Sequence, residues 1–155
     1  MKHKSIVITN STKQKIPERY FLFMFSQFLE FYAVQNKNIF VSLIIVGEKK
    51  IQSLNKEHRG INKPTDVLSF PIDITSTTLF KEVQKSSKEI LLGDIYLCPR
   101  FIDKNINSYP IPLKSKTRAY QYLFLHSLLH LVGLDHHTDK EHASWEKIIT
   151  TIWPF

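Results

Sequence analysis

Within the eleven residues His126-Ser127-Leu128-Leu129-His130-Leu131-Val132-Gly133-Leu134-Asp135-His136, three histidines stand at relative positions 0, +4 and +10, with a glycine at +7. No other stretch limits the local fold so tightly. Residues four apart on a helix share a face, with Cβ atoms about 6 Å apart. His126 and His130 can therefore converge on one ion at Zn–N distances of ~2.0–2.1 Å. Gly133 can take the left-handed conformation that ends a helix, and the chain can then double back to bring His136 to the same point. Three neutral ligands on one side leave a coordination position open for water, as a catalytic zinc site requires. They also leave the full charge of the ion to lower the pKa of that water to around 7.

The spacing has the histidine and glycine skeleton of the metzincin protease motif, H-E-x-x-H-x-x-G-x-x-H. The position after the first histidine, which in the protease is the Glu general base, is Ser127. Serine does not take a proton from zinc-bound water at neutral pH. The only methionines, Met1 and Met24, lie upstream, so no Met-turn follows the histidines. The metal cage is present and the peptidase machinery is not.

At 155 residues the chain is expected to form one domain, residues 1–155, with a proper core. No secretory signal is read at the N-terminus, where Met-Lys-His-Lys-Ser leads directly into a strand-like run. The apolar stretch 20–25 is interrupted by Ser26, Gln27 and Glu30 and is too short to span a bilayer, so no membrane association is expected. A single cysteine, Cys98, rules out an internal disulfide and fits a reducing cytoplasm. It closes an apolar run and reads as a buried small hydrophobe. The net charge of +7 suits a polyanionic partner such as nucleic acid, although the excess is spread along the chain.

Residues 4–9 read as a first strand, rich in β-branched side chains. Pro17 opens a helix to about residue 35, whose Phe, Leu and Tyr content predicts burial around most of its circumference. The apolar run 39–46 reads as a central strand buried on both faces. A helix over 49–58 follows, broken by Gly60, then a strand over 65–71 ended by proline. Residues 74–89 read as a long exposed connection to a fourth strand, 91–98, which can pair antiparallel with the third. Pro99 starts a short helix. Ser115 or Thr117 can cap the histidine-bearing helix, which runs to Val132, and Thr138 or Asp139 a final helix over 140–152. The pattern predicts an α+β fold: a small four-stranded mixed sheet packed with about five helices, the histidine helix central and most buried.

A second cluster spans residues 55–71. Arg59 sits just before Gly60, between a helix and a strand, where anion-binding side chains are commonly presented. The plainer alternative is a solvated surface arginine. Taken with Arg59-Gly60, residues 65–71, Leu92-Gly93-Asp94-Ile95 and the histidine stretch, the chain resembles the YbeY family of bacterial rRNA-maturation endoribonucleases. The family pattern H-G-x-L-H-L-x-G-Y-D-H is matched at His126, Leu129, His130, Leu131, Gly133, Asp135 and His136, and departs at Ser127 and Leu134. Neither departure removes a metal ligand. The resemblance implies an α+β fold around one Zn2+, or another divalent transition metal, held by His126, His130 and His136. It also implies hydrolysis of single-stranded RNA in small-subunit rRNA 3′-end maturation and ribosome quality control, with the small subunit or its proteins as partners. The arginine needed for cleavage carries over to Arg59.

For the chemistry, Arg59 can offer two parallel N–H donors to the charge that develops on the phosphate. Asp135 is a candidate to orient a ligand from behind; His137 and His142 read as exposed or structural. The general base stays open, as does the choice between water and the RNA 2′-OH as nucleophile. Salt-dependent RNA contacts are expected from Arg59, Lys63, Arg100, Lys114, Lys116 and Arg118. Two other readings compete: a zinc peptidase, and a non-catalytic ribosome-assembly factor whose structural metal would recruit Cys98 as a fourth ligand.

Overall fold

The computed structural model of the chain describes residues 6–72, 85, 89–110, 113 and 115–154. Four strands, β1 (Ile6–Asn10), β2 (Ile39–Ile45), β3 (Val67–Pro71) and β4 (Ile90–Leu97), form one sheet in the order β1-β2-β4-β3. β1 and β4 both run parallel to β2, and β3 lies antiparallel to β4 at one edge. Five helices surround it: α1 (Arg19–Phe31), α2 (Glu48–Arg59), α3 (Pro99–Lys104), α4 (Lys116–Leu131) and α5 (Asp139–Ile152), with a 3-10 turn at Ile106–Ser108. This is the expected α+β arrangement around a mixed sheet. Most of the connection expected over 74–89 falls outside the described residues, as do Lys114 and the start of the expected first strand.

β-branched and leucine side chains alternate along β2, and Ile39, Val41, Leu43 and Ile45 turn one face wholly into the main core. That core is closed by α1, α4 and α5. The other face of β2 is only half-covered, by a smaller cluster around Val46, Ile51, Leu54, Leu68 and Cys98 beneath α2 and α3. The expectation of a strand buried on both faces thus holds fully for one of them. Cys98 is buried among hydrophobes, as expected.

α1 ends at Phe31, short of residue 35, and is buried on one side only. Phe21, Met24, Phe25, Phe28 and Leu29 face the core, while Leu22, Phe23 and Phe31 are exposed. The helix lies on the surface, so these outer apolar residues stay outside the core, Phe31 meeting only the edge of the partly buried Tyr32 at 4.9 Å among the described ring contacts.

α4 is the central helix. Ser115 caps its start, its hydroxyl accepting from the Arg118 N–H at 3.2 Å. Nine of its residues are buried, on nearly every side, since α4 meets α1 and α3 as well as β3 and β4. Gly93 lets β3 and β4 lie close beneath it. At φ +142° only glycine is at ease, and a Cβ there would run into the Phe70 carbonyl oxygen and lie 3.0 Å from Leu131 Cδ2.

α5 opens on a capping box, Thr138 with Glu141, buries Trp145, Ile149 and Ile152 in the main core, and meets α4 through Trp145. No helix among the described residues is long and apolar enough to cross a membrane.

Candidate metal centre and cleft

α4 ends in a Schellman motif that sets the third histidine. Gly133 adopts φ +82°, its N–H bonds the His130 carbonyl at 2.9 Å, and the Leu134 N–H bonds the Leu129 carbonyl at 3.0 Å. The chain reverses there and returns His136 toward the helix. Ring centroids of His126, His130 and His136 lie 4.7, 5.2 and 5.3 Å apart pairwise. One ring nitrogen from each falls within 4.8 Å of the other two. The Nε2 atoms of His126 and His130 are 3.0 Å apart.

These residues fit a bound divalent ion. Nitrogens ~2.0–2.1 Å from a shared tetrahedral centre would be about 3.4 Å from one another. The His130 Nδ1–H can donate to the Leu134 carbonyl at 3.1 Å, which leaves the Nε2 lone pair free for a cation. His136 Nε2 is buried with no hydrogen-bond partner among the described residues, which is costly unless something electrophilic meets it. Burial, reinforced by the His130 and His136 rings, holds the His126 pKa down at about 3; burial and His136 lower that of His130. Both are therefore neutral donors at physiological pH.

The sequence reasoning missed Trp145. Its indole packs against all three imidazoles, with centroid distances of 4.8, 4.8 and 4.7 Å to His126, His130 and His136. At 4% exposed it fills the side of the site away from solvent. The one available signal was its place on the apolar face of α5, three residues of which (Trp145, Ile149, Ile152) had to meet some other element.

The histidines open onto a cleft of ≈ 740 Å³. Its other side carries Arg59, Thr65, Asp66, Ser69 and Tyr109. Arg59 ends α2, where Gly60 turns left-handed at φ +70°, and its exposed guanidinium is near enough to lower the pKa of His130 by its charge. Asp66 is a strut: it accepts from the Val67 N–H at 2.8 Å, the Thr65 hydroxyl at 3.2 Å and the Tyr109 hydroxyl at 2.8 Å. Burial, and then the Asp66 charge, push the Tyr109 phenol well above its ordinary value, so it stays a donor.

Of the remaining sequence candidates, Asp135 and His137 line the cleft beside the ligands. The Asp135 carboxylate accepts from the His136 backbone N–H and pairs with His137, both at 2.8 Å. It shapes the turn that carries His136. His137 and His142 are exposed, the latter 3.7 Å from Glu146. Lys63, Arg100, Lys116 and Arg118 are not among the residues lining the cleft. Arg100 pairs with Glu48 at 3.1 Å and Lys116 with Asp103 at 3.0 Å, so both charges are partly satisfied within the fold.

Two rival readings lose ground. Ser127 is fully buried and faces the core, with no partner for its hydroxyl, so position 127 does not present a base to the cleft. Cys98 belongs to the separate hydrophobic cluster under α2, and among the described residues the group able to hold an ion is the histidine trio alone.

A family model described as Endoribonuclease YbeY matches residues 7–153. The chain is 30% identical to Endoribonuclease YbeY of Buchnera aphidicola subsp. Schizaphis graminum, an alignment covering 100% of this chain and 92% of that one. With Endoribonuclease YbeY of Lachnospira eligens it shares 35% identity over 68% of this chain and 69% of the other. The solution structure of TM1509 from Thermotoga maritima has the same fold, with a TM-score of 0.55 over 96% of this chain and 89% of that one at 23% identity. With a match that runs from β1 to the end of α5, the chain belongs to the YbeY endoribonuclease family.

Proposed function

We infer that this chain is a single-domain, cytoplasmic endoribonuclease that cleaves single-stranded RNA at the three-histidine site, in small-subunit rRNA 3′-end maturation and ribosome quality control. Small-subunit rRNA and ribosomal proteins are its partners in this reading. The observation that carries it is the cleft itself, lined both by three imidazoles whose ring nitrogens lie within 4.8 Å of one another and by Arg59.

His126, His130 and His136 would hold the ion, and an all-imidazole set suits zinc while also accepting copper, nickel or iron. Such an ion supplies Lewis acidity toward a phosphate oxygen and a source of hydroxide at neutral pH. The chain's own residues do the rest. The Leu134 carbonyl holds the His130 ring, and Trp145 packs against all three imidazoles while they line the cleft. Arg59 offers paired N–H donors to a phosphate lying across the cleft and meets the negative charge that grows on its oxygens during in-line attack. Tyr109, tied to Asp66, holds the wall beside it.

The test is to measure bound metal and single-stranded RNA cleavage together. His130→Ala should lose both, and Arg59→Ala should retain metal and lose cleavage. Cleavage of casein, and not of RNA, by metal-loaded protein would replace this reading with the peptidase.

A further inference from the structure

The sequence of α2 is unusually rich in cations, and the structure shows where they go. Ile51, Leu54 and Asn55 face inward. Lys49, Ser53, Lys56 and Arg59 are exposed, and Gln52 is partly so. At 100° per residue these five share one face of the helix, with no acidic residue among them. Lys49 and Arg59 are ten residues apart, so this face extends about 15 Å at ~1.5 Å rise per residue.

Beyond Arg59, the loop folds back along the same helix. Gln52 Nε2 donates to the Asn62 backbone and side-chain oxygens at 3.3 and 3.1 Å, and Asn55 Nδ2 donates to the Lys63 carbonyl at 2.8 Å. Lys63 is thereby fixed beside α2, next to Thr65 and Asp66 at the cleft. Of the two acids on α2, Glu48 is held by Lys104 at 2.9 Å and Arg100 at 3.1 Å, which lower its pKa, and Glu57 lies off this face, 4.0 Å from the His58 ring. Among the described residues the side chains of Lys49, Lys56 and Lys63 form no ion pair. Among the described residues, three cations without an ion pair thus stand on α2 and the loop against it, next to Arg59 at the cleft.

We propose that the α2 face carrying Lys49 and Lys56, with Lys63 in the loop laid against it, is the track along which single-stranded RNA enters the cleft, its phosphates lying on this surface and its scissile bond beyond Arg59. The proposal rests on the endoribonuclease reading and assigns that substrate a path. The contacts are to phosphate, so the track confers affinity and direction without base preference.

The test uses a fluorescein-labelled single-stranded RNA of mixed sequence. Its binding is followed by anisotropy across a salt series, and its cleavage by gel, with the metal-loaded full chain. A Lys49→Gln/Lys56→Gln/Lys63→Gln variant is compared with a Lys13→Gln/Lys15→Gln/Lys147→Gln control that removes the same charge from other surfaces. Each phosphate contact on a single strand contributes about 0.7 to the slope of log K against log salt, so the α2 variant should be shallower by about 2 and its KM higher by about tenfold, with kcat retained. The control should stay near wild type in slope. Equal losses in both variants would overturn the track in favour of diffuse attraction. Unchanged RNA binding with lost association to isolated small ribosomal subunits would overturn it in favour of a protein-docking face. A wild type that binds RNA through this face but cleaves none would uphold the track and sink the endoribonuclease reading.

Discussion

On the α4–α5 wall of the cleft, three partly buried imidazoles are packed against Trp145, and burial lowers the pKa of His126 and His130; on the α2–β3 wall, Arg59 is an exposed guanidinium. The first wall draws its geometry from the core: α4 is buried along most of its length, and its last turn is set by the Gly133 motif. The second takes its position from a helix terminus and a loop pinned by Gln52 and Asn55. The contrast shows how one small fold can serve two needs. A metal requires donors held to within a fraction of an ångström and uncharged, which burial supplies. A phosphate chain must enter and leave, and it is attracted by solvent-facing cations.

The largest effect that would separate the walls is loss of a ligand. His130→Ala should release the metal and lower cleavage by at least ~10³-fold, since the ion is asked for several kcal/mol of the barrier; metal analysis and single-turnover cleavage check this. Arg59→Ala should cost about 10²–10³ in kcat with metal stoichiometry unchanged. If it also lost metal, the walls would not be independent.

Next in size, Trp145→Ala should destabilise the fold by about 3–5 kcal/mol as a buried large-to-small change. It should also weaken metal binding by about 10–100-fold, because the rings lose the surface that orients them. Trp145→Phe should recover most of the stability, and chelator competition on both variants separates the two effects.

The smallest effect is on pH dependence. In the metal-free protein His126 titrates near 3, against an ordinary value of 6.5 in the unfolded chain. Between those values the unfolded chain binds the proton and the folded chain does not, so stability is fully present above pH 6.5 and falls as the pH drops. The slope is at most about 1.4 kcal/mol per pH unit for this group. Melting of the metal-free protein from pH 7.5 downward should show this decline, reduced in His126→Gln.

The histidine wall was legible in the sequence because all three donors and the reversing glycine lie within one helix and its cap, where spacing alone dictates geometry. Arg59 was legible for a similar reason, through Gly60 beside it. Trp145 was not, because its contact with the histidines comes from α5 folding back onto α4. The same reason explains the cations. Arg100 and Lys116 resembled Lys63 in sequence, but Glu48 and Asp103 reach them only through tertiary packing. Likewise, the apolar content of α1 did not reveal that Leu22, Phe23 and Phe31 face outward, since composition does not tell which side of a helix the fold will cover. The order of strands and helices survived these errors, being set by apolar runs and by Pro and Gly stops.

The central claim is that one ion, gripped by His126, His130 and His136 and open to the cleft, is what cleaves RNA. It is tested most directly by stripping the protein with a chelator and titrating zinc back while single-stranded RNA cleavage is followed. The account predicts no cleavage by stripped protein and activity that rises in proportion to added ion, reaching its plateau at one per chain. Full cleavage by the stripped protein would contradict it.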